Sequence, residues 1–161
     1  MAMGRIEKSD LWYSPACESR TVHLYLPDGY EGSEERYPVL YMFDGHNLFS
    51  DEDATFGRSW RLKDFLDSWP KKMIVVGLEC SHTGNDRLRE YSPYRIYACW
   101  MGSIEGIGDQ TMQWIVNEVK PFIDLLSELP HGKADGRGHT CSLGKPAVVM
   151  KDGIQGHHAT H

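Results

Sequence analysis

Long apolar runs, basic stripes, paired cysteines and glycine-rich phosphate loops are all missing from this sequence. No stretch approaches the roughly 20 apolar residues that span a bilayer, and the start, MAMGRIEKSD, lacks the apolar segment of a secretory signal. A soluble, cytoplasmic chain with no membrane partner is therefore expected. The net charge of -6, with no clustering of Lys and Arg, excludes a surface that tracks phosphates, so no nucleic-acid partner is expected either. Cys17, Cys80, Cys99 and Cys141 are far apart and include no C-x-x-C pair, which argues against a zinc cage and a disulfide framework. They read as free thiols in a reducing compartment. No G-x-G-x-x-G or phosphate loop is present, which removes the main argument for a dinucleotide-binding or flavodoxin-like module. No cofactor and no metal are expected.

What is present is an alternation of strand and helix patterns. Residues 20 to 27 place Val22, Leu24 and Leu26 between Thr21, His23 and Tyr25, the period of two of a half-buried strand, expected to run antiparallel at one side of the sheet. After a polar turn at Asp28, Gly29, Gly32 and Ser33, residues 37 to 45 (YPVLYMFDG) and 73 to 79 (MIVVGLE) are near-continuous apolar runs. Such runs predict strands buried on both faces of a parallel sheet. Between them, Trp60, Leu62, Phe65, Leu66 and Trp69 recur at helical spacing behind Ser59, a cap candidate. A longer helical pattern covers 109 to 127, and Pro121 is expected to kink or divide it. Strand, helix, strand in this order implies an α/β fold with helices packed on the sheet.

From Leu129 onward the pattern changes: six of the sixteen glycines and five of the eight histidines fall in 129–161, and apolar periodicity nearly vanishes. Residues 1–128 thus form one unit, and 129–161 a divergent Gly/His-rich segment expected to be poorly ordered. Only 146 to 150, PAVVM, patterns as a strand there.

The segments VHLYLPDGY (22 to 30), YPVLYMFDGHNLF (37 to 49), DEDATFGRSW (51 to 60), IVVGLEC (74 to 80), RLREYSPY (87 to 94) and EVKPFID (118 to 124) carry a strong resemblance. Over about residues 20 to 124 the chain resembles the esterase branch of the α/β-hydrolases, which includes feruloyl, siderophore and S-formylglutathione esterases. The resemblance implies a mainly parallel α/β-hydrolase sheet with helices on both faces, of which this chain holds the N-terminal half, ending after the first four or five strands. It also implies that the loop after the run at 37 to 45 supplies an oxyanion donor, the backbone N–H of His46. The residues alone favour a tight turn at Asp44-Gly45 and an exposed loop histidine; the resemblance reverses that reading. Arg87, Glu90 and Tyr91, in a polar loop after the second apolar run, read as structural, a solvated ion pair of small energetic value.

By the same resemblance, counting onward from Asp124 reaches Thr140-Cys141-Ser142-Leu143-Gly144, which makes Ser142 the nucleophile and the Leu143 N–H the second oxyanion donor. Thr140 stands where the family has a glycine, Lys145 replaces a second one, and the preceding residues are not an apolar strand. The acid and base of a triad are not identified: only Asp152, His157, His158 and His161 follow the serine as candidates. The expected function is serine-esterase hydrolysis of a small carboxylic ester through an acyl-enzyme. The alternative is an inactive or truncated remnant that at most binds ligands or partners. An unpaired sheet edge in such a half-fold is expected to promote self-association.

Overall fold

The computed structural model describes residues 3–33 and 35–128; the Gly/His-rich segment 129–161, with Ser142 and Leu143, lies outside the described residues. Strand β1 (Arg5–Tyr13) pairs antiparallel with β2 (Glu18–Leu26), in a register running from Arg5 opposite Leu26 to Tyr13 opposite Glu18. Next to β2 lies β4 (Ile74–Leu78), again antiparallel, and β4 pairs in parallel with β3 (Val39–Phe43). The described sheet is therefore mixed, with the order β1-β2-β4-β3.

Strand alternation divides the core into two layers. Val22, Leu24 and Leu26 of β2 with Ile74, Val76 and Leu78 of β4 face one side, where they pack against Trp114, Ile115, Val119 and Ile123. Tyr25 and Val75 face the other side and pack against Leu66, with Leu62 and Met42 alongside. Helices thus cover both faces, as an α/β-hydrolase-like architecture requires. The apolar run at 74 to 78 is buried along its whole length, as a central strand should be.

Several elements depart from the sequence expectations for identifiable reasons. β1 escapes apolar patterning because Arg5, Glu7 and Lys8 on this edge strand face solvent, and only Ser9, Leu11 and Tyr13 are buried. With β1 outside it, β2 is interior and buried from Val22 onward on both faces, rather than half-buried at the side. β3 instead lies at the edge among the described residues, with Leu40 and Phe43 exposed.

Helix α1 (Leu62–Ser68) starts after Arg61 in a left-handed conformation with no side-chain cap. Ser59 does not cap it because it stands two residues before the capping position; its hydroxyl instead donates to Asp51 at 2.7 Å and accepts from the Arg61 N–H at 3.4 Å. After α2 (Asp86–Tyr91) and the small hairpin β5 (Ile96–Ala98) and β6 (Gly102–Ile104), the long helical pattern is divided as expected. α3 (Gly108–Trp114) passes through a π turn at Ile115–Val119 into α4 (Lys120–Glu128). The wider turn directly precedes Pro121, whose ring crowds the carbonyl four residues back and whose nitrogen donates nothing. Thr111 ties α3 to the rest, donating to the Glu90 carbonyl at 2.8 Å and hydrogen-bonded to the Tyr13 hydroxyl at 2.6 Å. Cys17, Cys80 and Cys99 are free thiols. No described helix is long and apolar enough to cross a membrane.

Leu24 is buried in the main core whereas Leu125 is over half exposed on α4. Leu24→Ala is expected to lower the unfolding free energy by about 2–5 kcal/mol, and Leu125→Ala by less than about 0.5 kcal/mol. Urea titrations at equal slope measure the difference.

Candidate functional site

The parallel strands β3 and β4 deliver their carboxyl ends side by side, the edge at which open α/β sheets gather ligands. Directly after Phe43, Asp44 takes a left-handed backbone (φ 56°, ψ 45°) and opens a 3-10 turn over Gly45–Asn47. Aspartate visits this region more readily than most residues, yet the conformation still costs on the order of 1 kcal/mol. Gly45 then lies flat on β4: a Cβ there would be 2.5 Å from the carbonyl oxygen of Gly77. A Cβ on Gly77 would in turn be 2.7 Å from the buried Leu48 side chain and 3.0 Å from the Gly45 Cα. Both glycines are needed for this close approach.

The turn is held by its own backbone and by the segment after it. Asn47 N–H donates to the Asp44 carbonyl at 2.8 Å and Leu48 N–H to that of Gly45 at 3.2 Å. Further on, Trp60 N–H reaches the Asn47 carbonyl, Leu62 N–H that of Leu48, and Thr55 N–H the Asn47 side chain. The N–H of His46, between these, meets no acceptor among the described residues.

Two polar groupings surround the turn. In the first, Arg87 grips the Asp44 carboxylate with both ends of its guanidinium, Nε to Oδ1 at 2.9 Å and Nη2 to Oδ2 at 2.7 Å. Tyr91 completes the grip, its hydroxyl donating to Oδ1 at 3.1 Å and accepting from the Asp44 N–H at 3.2 Å. The Arg87 hydrogen bonds hold the Asp44 carboxyl below its ordinary pKa. Burial pushes the Tyr91 phenol well above its own, which keeps it a neutral donor.

The second grouping is built from imidazoles. His46 is 4% exposed and its Nδ1 has no hydrogen-bond partner among the described residues. Its ring meets that of His82 edge-on at 4.5 Å between centroids. His82 in turn lies 3.9 Å from Glu79, whose other oxygen contacts the buried His23 Nε2 at 2.5 Å. Burial, and then the neighbouring His82, lower the His46 pKa. Burial works against ionising Glu79, but the His23 bond and nearby imidazoles outweigh it and lower its pKa. The described residues include no group of His, Cys, Asp or Glu arranged to hold a metal ion.

Of the residues anticipated from sequence, His46 lies at the sheet's carboxyl edge, and it is buried rather than an exposed loop histidine. Ser142 and Leu143 fall outside the described residues. The reading of Arg87, Glu90 and Tyr91 as a solvated ion pair on a loop needs correction, because they form a helix and have separate, distant partners. Arg87 and Tyr91 hold Asp44, while Glu90 is buried on Arg20 at 2.6 Å and accepts from Ser81 N–H at 3.0 Å. Sequence patterning also missed His23 and Glu79. The available signal was a polar side chain within, or directly after, a run that must be buried.

The esterase family described as Putative esterase matches residues 15–127. Among solved structures, the chain is similar to an IroE-like serine hydrolase from Shewanella oneidensis, at 25% identity and TM-score 0.56, over 76% of this chain and 39% of that one. It is also similar to the BES protein from Bacillus cereus, at 22% identity and TM-score 0.51, over 80% of this chain and 48% of that one. An enterobactin and salmochelin hydrolase, IroE, matches at 16% identity and TM-score 0.52, over 77% of this chain and 47% of that one. The chain thus spans less than half the length of each of these proteins. No curated protein sequence matches it.

The buried neutral His46 makes a pH prediction with a definite sign. Its folded pKa lies below the ordinary 6.5. The unfolded chain therefore binds this proton more tightly, and the stabilisation is complete above about pH 6.5 and is lost below it, as pH falls toward and through the lower folded-state pKa. Urea titrations at about pH 7.5 and about pH 5.5 should show a drop in stability that His46→Gln reduces. An equal drop in the variant would place the titration elsewhere.

Proposed function

The chain belongs to the esterase family of α/β-hydrolases, and from that premise we propose that it acts as a serine esterase on small carboxylic esters. Ser142 Oγ adds to the ester carbonyl carbon as its hydroxyl proton passes to a general base, which later hands it to the leaving alcohol, and the carbonyl oxygen, now negatively charged, is received by the backbone N–H groups of His46 and Leu143. Collapse of this intermediate breaks the bond to the alcohol, which leaves with a proton, and the acyl group stays on Ser142. Water then adds to the acyl carbonyl and releases the acid.

The observation that carries this reading is the His46 N–H, on a turn pinned at Asp44, Gly45 and Leu48 and with no acceptor among the described residues. A donor fixed before charge develops needs no reorganisation during the reaction, and one such donor is commonly worth about 10²–10³ in kcat.

A second reading, a non-catalytic chain that binds ligands or partners, draws on Thr140 and Lys145, which stand where the family's nucleophile turn has glycines. One experiment separates the two. Treating the folded protein with a fluorophosphonate should add a single adduct that peptide mapping assigns to Ser142. p-Nitrophenyl acetate should be hydrolysed above background, and Ser142→Ala should abolish both. A folded wild-type chain with no adduct and no turnover would leave the non-catalytic reading standing.

A further inference from the structure

From the grip on Asp44 we infer that Arg87 and Tyr91 are positioning residues for the oxyanion donor, acting through the Asp44 carboxylate on the His46 N–H; this rests on the esterase reading above. Asp44 is the hinge between β3 and the 3-10 turn, and its left-handed backbone sets the direction in which the following amides leave the sheet. Nothing in the dihedral preference of aspartate secures that conformation by itself. The side chain secures it: two parallel charge-assisted bonds from Arg87 fix the plane of the carboxylate, as only a guanidinium fork does.

Tyr91 adds the link from side chain back to main chain. Its hydroxyl touches the Asp44 carboxylate and the Asp44 N–H at once, so the carboxylate cannot rotate without disturbing the backbone that carries it. The tyrosine is itself wedged, with its ring 4.6 Å from that of Phe43, the last residue of β3, and the Arg87 guanidinium 5.1 Å above its own ring. Arg87 and Tyr91 stand four apart on α2, so one helix face presents both groups to the same carboxylate. That helix is anchored from below, where Glu90 is buried against Arg20 and its carbonyl accepts from Thr111. The chain of contacts runs from the core, through α2, to the aspartate that aims His46. Gly45 fixes how far the turn stands from β4, and the grip fixes its rotation.

Arg87 is about half exposed, binding Asp44 and stacking on the Tyr91 ring, so its truncation should leave the fold intact. The test uses Arg87→Ala, Arg87→Lys and Tyr91→Phe, read by amide hydrogen exchange and by hydrolysis of p-nitrophenyl acetate. In Arg87→Ala, exchange at the Asn47 and Leu48 amides should quicken about tenfold or more, as expected for losing a charged pair of bonds. The buried amides of β4, at Val75 and Val76, should be unaffected and so certify the fold. kcat should fall about a hundredfold with KM nearly unchanged, the signature of a misaimed transition-state contact. Arg87→Lys, which keeps the charge without the fork, and Tyr91→Phe should fall between wild type and Arg87→Ala on both readouts. Unchanged exchange at Asn47 and Leu48 in all three variants would overturn the inference, whether or not the chain turns over ester, and would leave the esterase reading untouched. Faster exchange with kcat unchanged in an active enzyme would overturn it differently, by showing that His46 does not serve the reaction.

Discussion

Gly45 and Gly77 meet backbone to backbone, and the organisation of the site depends on that approach. A side chain on either would collide with the carbonyl of Gly77 or with Leu48 and lift the turn off the sheet. β4 provides the surface: it is buried from Ile74 to Leu78 and flanked by β2 and β3, so the turn rests on a fully buried, interior strand of the described sheet. Contact at this point brings the His46 backbone to the carboxyl edge of two parallel strands. There the grip on Asp44 acts on a turn whose distance from the sheet is already set.

Around this contact the polar groups fall into two sets with different physical characters. Asp44, Arg87 and Tyr91 form a charge-neutral, geometrically specified cluster, with its aspartate held ionised. His23, Glu79, His82 and His46 form a chain in which burial favours a neutral His46. The first set constrains backbone direction. The second buries His46 as a neutral ring and ties Glu79 to His23.

Much of this was legible in the sequence where periodicity and burial coincide. The run at 74 to 78 patterned as a doubly buried strand and is one, and Pro121 marked the division of the long helix. β1 was not legible, because an edge strand held by backbone pairing with β2 can expose Arg5, Glu7 and Lys8 and show little apolar alternation. The Asp44-Gly45-His46 turn was visible as a motif, but its rotation was not, since it is set by residues more than forty positions away on α2. Glu90 illustrates the same limit: a carboxylate in a polar stretch looks solvated until Arg20, seventy residues earlier, is brought against it. Local pattern records which segments are buried; long-range pairing between charges leaves no local pattern.

The central claim is that the His46 amide receives the oxyanion of an acyl-transfer reaction. A crystal structure of the phosphonylated protein tests it most directly through one distance, from His46 N to the phosphoryl oxygen that mimics that charge. The esterase mechanism predicts about 2.7–3.1 Å, with the phosphorus bonded to Ser142 Oγ. A covalent adduct whose phosphoryl oxygen points away from His46, bonded to other donors, would contradict it.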